Sequence, residues 1–168
     1  GGAPYWPFLA AGTVWFVVQG ALGALWITVL VREGGTVVPV ARNAPLLFLQ
    51  FFGVHLMFIL GVGLRAFPTF FAAGPLPVSA VQRAFRATQL GIAGVLAGGI
   101  ARAYGLEALW PVESLGFVLL GAGLVRATWF TGWWRGPSRI RAASRPSAYL
   151  LQPAMAWLVL AGALLAAG

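Results

Sequence analysis

Five stretches of apolar residues run through this chain, separated by short polar segments rich in arginine, glycine and proline. A helix needs ~20 apolar residues to cross the ~30 Å hydrocarbon layer of a membrane, and each stretch is about that long. The pattern predicts membrane-spanning helices at 6–31, 45–66, 85–104, 111–130 and 148–167. Before the third of these, Arg83 and Arg86 lie on a segment that we expect to be helical and to rest at the membrane surface.

Composition indicates the same class of protein. The 168 residues are 60% hydrophobic and only 8% charged, with a mean hydropathy of +0.88. A soluble domain of this size would need far more charged residues to cover its surface. A membrane protein does not, because lipid solvates apolar side chains on the outside of a bundle. We therefore predict an all-α, polytopic transmembrane helix bundle of about five membrane-spanning helices, formed as one unit by residues 1–168.

Glycines recur at helical spacing within three of the stretches. Such small-residue faces let membrane helices approach closely, and we favour this role over phosphate binding. The positions concerned are Gly53, Gly61 and Gly63 on the second stretch, Gly91, Gly94, Gly98 and Gly99 on the third, and Gly116, Gly121 and Gly123 on the fourth.

The net charge of +8 comes from eleven arginines, which lie at the ends of the apolar stretches and not along one face. That distribution is typical of membrane topology signals. We therefore predict no nucleic-acid-binding surface, which would need basic residues along one face. Because positive residues concentrate on the cytoplasmic side, the unequal distribution predicts a cytoplasmic N-terminus. The N-terminal side holds Arg65, Arg83, Arg86, Arg126, Arg135, Arg139, Arg141 and Arg145, and the opposite side holds Arg32, Arg42 and Arg102.

His55 is the single histidine and lies in the middle of the second stretch. A polar ring at that depth is unfavourable without a partner, and imidazole is the commonest haem and metal ligand among side chains. The predicted helix gives His55 an apolar and aromatic face that would suit a porphyrin wall or core packing equally, formed by Phe51, Phe52, Phe58, Ile59 and Val62. Two hypotheses follow: His55 is a ligand, or it faces the bundle interior and bonds a neighbouring carbonyl, threonine or glutamine.

Few other side chains offer chemistry. The chain has no cysteine, and its three acids, Glu33, Glu107 and Glu113, lie near predicted loops or helix starts. Acid pairs, thiolate sites and nucleophile triads are therefore unsupported. We predict that Glu113 caps the fourth helix, since a proton-relay role would require it to face the interior. We expect interhelical hydrogen bonds from Gln19, Gln50, Thr88, Gln89 and Gln152.

The residues around His55 also suggest a family. The run His55-Leu-Met-Phe-Ile-Leu-Gly61-Val-Gly63-Leu-Arg65-Ala-Phe-Pro68, followed by Gly74-Pro75-Leu-Pro77, resembles an element of NnrS-like membrane proteins. The segment from Arg145 to Trp157 also resembles part of that family, and the second helix is distantly similar to one in haem-copper oxidase subunit I. The resemblance implies a bacterial cytoplasmic-membrane protein that binds haem or copper and acts in nitric oxide response or respiratory metabolism.

In that resemblance, His55 matches the haem or metal ligand. Family members are about twice this length and carry further histidines, so a second axial ligand would come from a missing half, a second copy or another membrane subunit. Arg65 lies ~15 Å further along the helix, where it would either pair with a haem propionate or anchor the helix at the interface. The unusual ends of the chain also make us expect a longer protein or a larger assembly.

Two other classes of function remain open. The chain would suit a cofactor-free structural subunit of a respiratory or photosynthetic membrane complex, because its glycine faces favour helix packing. A transporter half is less favoured, since the sequence has no convincing internal repeat and no acid at a helix centre.

Overall fold

The structure, a computed structural model, describes residues 3–70, 76–131 and 145–167, with side chains for 3–66, 76–131 and 152–164. Four of its helices are long and apolar enough to cross a membrane, and the apolar part Gln152–Leu164 of the last helix is shorter. In the described parts of the chain the regular elements are all helical. The prediction of an all-α bundle of apolar helices is thereby confirmed, with four of the about five expected spans long and apolar enough in the part of the chain that the structure describes.

We number the five long helices in chain order. Helix α1 spans Trp6–Arg32 and α2 comprises three continuous pieces, Val40–Phe48, the π-helical Leu49–His55 and Leu56–Phe70. Helix α3 spans Val78–Ala103, a 3₁₀ turn spans Glu107–Leu109, α4 spans Trp110–Trp129, and α5 spans Arg145–Ala167. Gly34 and Gly105 follow α1 and α3 at φ +69° and +78°, where a side chain would be strained.

Two helix starts differ from the sequence prediction. Helix α2 begins at Val40, so that Pro45 lies inside it and not in its first turn, and α3 begins at Val78. Hydropathy changes where charged residues begin, but backbone hydrogen bonding continues past them into the interface. Arg83 and Arg86 therefore lie on one continuous helix with the apolar stretch that follows. Their helical conformation is confirmed, and their position at the membrane surface stays a prediction.

The helices pack in an order that the glycines help to define. Helix α3 packs most extensively on α4, α4 also packs on α5, and α1 packs on the middle and later parts of α2. A Cβ added at Gly98 would lie 2.5 Å from Glu113 Cβ, and one added at Gly116 would lie 2.5 Å from the Val95 backbone nitrogen. These glycine faces therefore permit direct backbone approach between α3 and α4, as predicted.

One end of the bundle carries all three acids of the chain. Arg42 at the start of α2 bonds Glu33 at the end of α1, with Nη1–Oε2 at 3.1 Å. Arg102 at the end of α3 bonds Glu113 in the first turn of α4, with Nη2–Oε1 at 2.5 Å. The first pair therefore ties α1 to α2, and the second ties α3 to α4. We call this the acid-bearing end.

The opposite end, where α2 finishes and α3 begins, is strongly basic. The arginines described there are Arg65, Arg83, Arg86 and Arg126, and no acid of the chain lies on this side. The guanidinium of Arg65 lies 5.6 Å from the ring centroid of Tyr5 at the start of α1. The side chains of Arg135, Arg139, Arg141 and Arg145, which complete the predicted basic side, lie outside the described residues.

Candidate functional site

His55 lies on the outside of α2, halfway along the helix. The residues that flank it, Val54, Leu56 and Met57, are buried and fix the helix against its neighbours. His55 itself is exposed, and so are Phe51, Phe58, Ile59 and Val62. We call these five residues the outward face. Phe52, which we predicted on the same face, turns inward and stacks on Phe48 with ring centroids 4.9 Å apart.

A π-helical segment sets the orientation of the imidazole. Residues five apart in an α-helix are separated by about 1.4 turns, so a side chain at 55 would point away from the carbonyl of residue 50. In the π-helical Leu49–His55, backbone bonds join residues five apart and bring these two positions into line. The His55 Nδ1 atom consequently lies 2.6 Å from the carbonyl oxygen of Gln50.

This hydrogen bond defines the tautomer of a neutral ring. A carbonyl oxygen only accepts hydrogen bonds, so Nδ1 of His55 donates and carries the proton. The lone pair of the neutral ring is then on Nε2, for which the described residues show no hydrogen-bond partner. Metal-ligating histidines commonly have this arrangement, with one ring N–H bonded to a backbone carbonyl and the other nitrogen free to bind.

The surroundings of Nε2 are apolar and open. Phe51 is 61% exposed, Ile59 53% and Val62 57%, and the Phe51 ring centroid lies 6.3 Å from that of His55. Helix α1 borders this face on one side, where Phe58 lines a groove with Thr13 and Val17. On the other side Ile59 meets Met155 and Leu158 of α5 around a small cavity. A flat ligand at Nε2 would thus lie along α2 between α1 and α5.

The structure changes the interpretation of His55 in two ways. The ring bonds a neighbouring carbonyl, as the second hypothesis expected, but it is exposed and does not face the bundle interior as that hypothesis also required. Its bond to Gln50 lies within its own helix, which leaves the outer edge of the ring without a partner among the described residues. The aromatic wall that we predicted for a porphyrin is present as an exposed surface and not as an enclosed pocket.

The two methionines lie elsewhere. Met57 is fully buried, and its sulfur accepts a hydrogen bond at 3.1 Å from Nε2 of Gln89 on α3. Met155 on α5 is 4% exposed and lies in the small cavity beside Ile59. Within the described residues, neither sulfur is positioned as a second ligand for a group bound at His55.

Arg65 lies at the basic end of α2, ten residues after His55, and is exposed. Its cation–π contact with Tyr5 supports the role of an interfacial anchor. The same position leaves its N–H groups without a hydrogen-bond partner among the described residues. Arg65 thus lies exposed at the basic end of α2, beside Tyr5.

A partly buried chain of polar groups joins α1, α3 and α2, and it was not predicted as a unit. Trp15 of α1 donates from Nε1 to Gln89 Oε1 at 2.7 Å, and Gln89 in turn donates to Met57 of α2. The interhelical bond predicted for Gln89 is confirmed. Thr88 differs from the prediction, because its hydroxyl donates at 2.9 Å to Ala84 of its own helix. The side chain of Gln50 is exposed, and its backbone carbonyl is the functional group.

Glu113 lies in the first turn of α4, as predicted, but its carboxylate is not a helix cap. Its hydrogen bond goes across the helix interface to Arg102, and its side chain is 11% exposed. The close approach of Gly98 to Glu113 explains why the carboxylate turns towards α3. Glu113 therefore has the inward orientation that a proton-relay role would require.

No family model matches the sequence, and comparisons with curated proteins and with solved structures find no significant similarity. Within the described residues, no three side chains of histidine, cysteine, aspartate or glutamate come together.

Proposed function

We propose that this protein is an integral membrane protein of NnrS-like kind that binds haem through Nε2 of His55. The observation that carries the proposal is the 2.6 Å contact between His55 Nδ1 and the Gln50 carbonyl, which leaves Nε2 as a free ligand atom. Copper is the alternative metal for the same imidazole, which suits both ions. The physiological setting implied by the resemblance is nitric oxide response or respiratory metabolism.

The energetics of the lipid-facing ring support a bound group. An unsatisfied polar group in the hydrocarbon region costs several kcal/mol, because no water is present to bond it. A ligand–metal bond to Nε2 would remove that cost, and the exposed Phe51 and Ile59 would cover the face of a planar macrocycle. The π-helical segment is also a rare element that occurs frequently at functional sites.

A six-coordinate haem held this way would need a second axial ligand on its other side. The described residues offer one imidazole, and the sulfurs of Met57 and Met155 are buried away from it. The second axial ligand would come from a further part of the protein, a second copy or another membrane subunit. Arg65 would pair with a propionate at the basic end, where its N–H groups are accessible.

We further propose that the basic end faces the cytoplasm of a bacterial cell, with the N-terminus on that side. At the acid-bearing end three arginines are balanced by three glutamates, whereas the arginines described at the opposite end, Arg65, Arg83, Arg86 and Arg126, have no acid beside them. Positive residues near the ends of membrane helices are retained on the cytoplasmic side.

The test is the visible absorption spectrum of protein purified from haem-supplemented cells. We expect a Soret band in the wild type and its loss in His55→Ala, since no other side chain supplies this imidazole. Val62→Ala is the matched control, because it truncates an exposed side chain on the same face of α2 that offers no ligand atom. A Soret band that persists in inserted, folded His55→Ala, or a wild type without pigment after reconstitution with haem or copper, would overturn the proposal.

A second candidate is a cofactor-free structural subunit of a larger respiratory or photosynthetic membrane complex. It is favoured by Gly20 and Gly23 of α1, where an added Cβ would meet no atom within 4 Å. Such a small-residue surface suits a partner helix. Purification with stoichiometric partner subunits and no pigment of its own would favour this function over haem binding.

A further inference from the structure

A cavity separate from His55 opens at the acid-bearing end of the bundle, between the first turns of α2, the last turns of α3 and the start of α4. Its volume is about 340 Å³, and it is partly open to the outside. Ligand sites are commonly ~300–1,000 Å³, so this space suits a single ring with the start of a tail and not a two-chain lipid. Its depth near the helix ends places it close to the boundary between lipid and water.

The polar groups of the cavity are one ion pair. Glu113 and Arg102 both line it, while the other lining residues are apolar. Their hydrogen bond joins Arg102 Nη2 to Glu113 Oε1, which leaves the second carboxylate oxygen and other guanidinium N–H groups for a ligand. The pair has no net charge, so it favours a neutral molecule with both hydrogen-bond acceptors and donors over an anion.

The walls are aromatic and rigid. Phe48 of α2 and Phe117 of α4 both line the cavity and contact each other edge to face, with ring centroids 6.1 Å apart and planes at 84°. Pro45 adds a third inflexible surface, and it is buried. Edge and face contacts of this kind favour a flat aromatic head.

We propose that this cavity binds the head group of a membrane quinone or quinol. The ring contacts Phe48 and Phe117, a ring carbonyl accepts a hydrogen bond from Arg102, and a quinol hydroxyl donates to Glu113. The isoprenoid tail leaves through the open side into the bilayer. This assignment depends on the cavity and its ion pair alone and is independent of haem at His55.

Gly99 provides a selective way to close the cavity. It lines the space, and a Cβ added there would meet only Pro45 Cγ, at an ordinary 3.6 Å. Gly99→Leu should therefore fill the cavity without separating helices. Ala44→Phe fills it from α2, where Ala44 is exposed, and serves if the first variant fails to fold. Gly20→Leu, with no atom within 4 Å of an added Cβ, is the matched control on α1.

The experiment is calorimetric titration of the purified protein in detergent with decylubiquinone and decylubiquinol. We expect saturable binding at one site, weakened at least tenfold by Gly99→Leu or Ala44→Phe and unchanged by Gly20→Leu. Glu113→Gln should weaken quinol binding about tenfold, and quinone binding less, because a carboxylate is the stronger acceptor for the hydroxyl. Circular dichroism and gel filtration establish that each variant is folded.

Three results would overturn the assignment. One is the absence of saturable binding of either molecule by the wild type, and the other is binding that folded Gly99→Leu and Ala44→Phe retain. Saturable binding of a short-chain phosphatidylcholine in place of the quinones, lost in the same variants, would also overturn it and would identify a lipid site.

Discussion

The close approach of α3 and α4 at Gly116 predicts that Gly116→Ala destabilises the bundle. The added Cβ would lie 2.5 Å from the Val95 backbone nitrogen and 2.9 Å from the Gly91 carbonyl oxygen and the Gly94 carbonyl carbon. Ordinary contact begins at 3.4 Å, so α3 and α4 must separate locally by about 0.9 Å. A gap of ~0.5–1 Å forfeits a quarter to a half of each dispersion contact, and overpacking of this kind costs about 1–3 kcal/mol.

The matched control is Gly20→Ala on the lipid-facing side of α1, where nothing lies within 4 Å of an added Cβ. Alanine stabilises a helix by up to ~1 kcal/mol relative to glycine, so this variant should be neutral or more stable. Reversible unfolding in mixed micelles of increasing sodium dodecyl sulfate content, followed by far-ultraviolet circular dichroism, measures both. If Gly116→Ala is as stable as Gly20→Ala, the close approach of α3 and α4 is refuted.

Two further predictions concern the other interhelical contacts and use the same unfolding assay. Gln89→Leu leaves the half-buried indole N–H of Trp15 without its acceptor and should lower the free energy of unfolding by about 1 kcal/mol. The control, exposed Gln82→Leu on the same helix, should lower it by less than ~0.5 kcal/mol. Equal effects would contradict the role of this bond. Gly162→Leu places a Cβ 3.0 Å from the Gly121 carbonyl oxygen and should destabilise the bundle by about 1–3 kcal/mol. The control, Ala161→Leu at an exposed position, should not. If both variants are neutral, α5 does not pack on α4 as described.

The architecture was predictable because lipid imposes a simple rule on composition. Only helices satisfy every backbone group of an apolar 20-residue stretch without water, so hydropathy alone predicted the bundle. The glycines of α3 and α4 were equally informative, since small residues at helical spacing have few roles in a membrane other than close packing. Helix starts were less predictable, because Arg42 and Arg83 change the hydropathy without ending the backbone hydrogen bonding.

The candidate site was predictable only in part. His55 was identifiable as a single polar ring at bilayer depth, but its direction was not, because core and lipid are both apolar and leave the same pattern in a sequence. The π-helical segment shifts the phase of α2 by a fraction of a turn, which is why Phe52 turned inward while Phe51 stayed outside. The hydrogen bond between His55 and the Gln50 carbonyl depends on that shift, and the bond between Gln89 and Met57 depends on how α3 packs on α2. The periodicity of the sequence encodes neither.

Imidazole rescue tests the central claim most directly, because it asks whether the outward edge of His55 is a ligand position. The measurement is the Soret absorbance of purified His55→Ala, reconstituted with haem, before and after addition of free imidazole. We predict that His55→Ala lacks the wild-type band and that imidazole restores it, since the small ligand can occupy the space in front of the Gln50 carbonyl. A folded His55→Ala protein with the full wild-type band before imidazole is added would contradict the account.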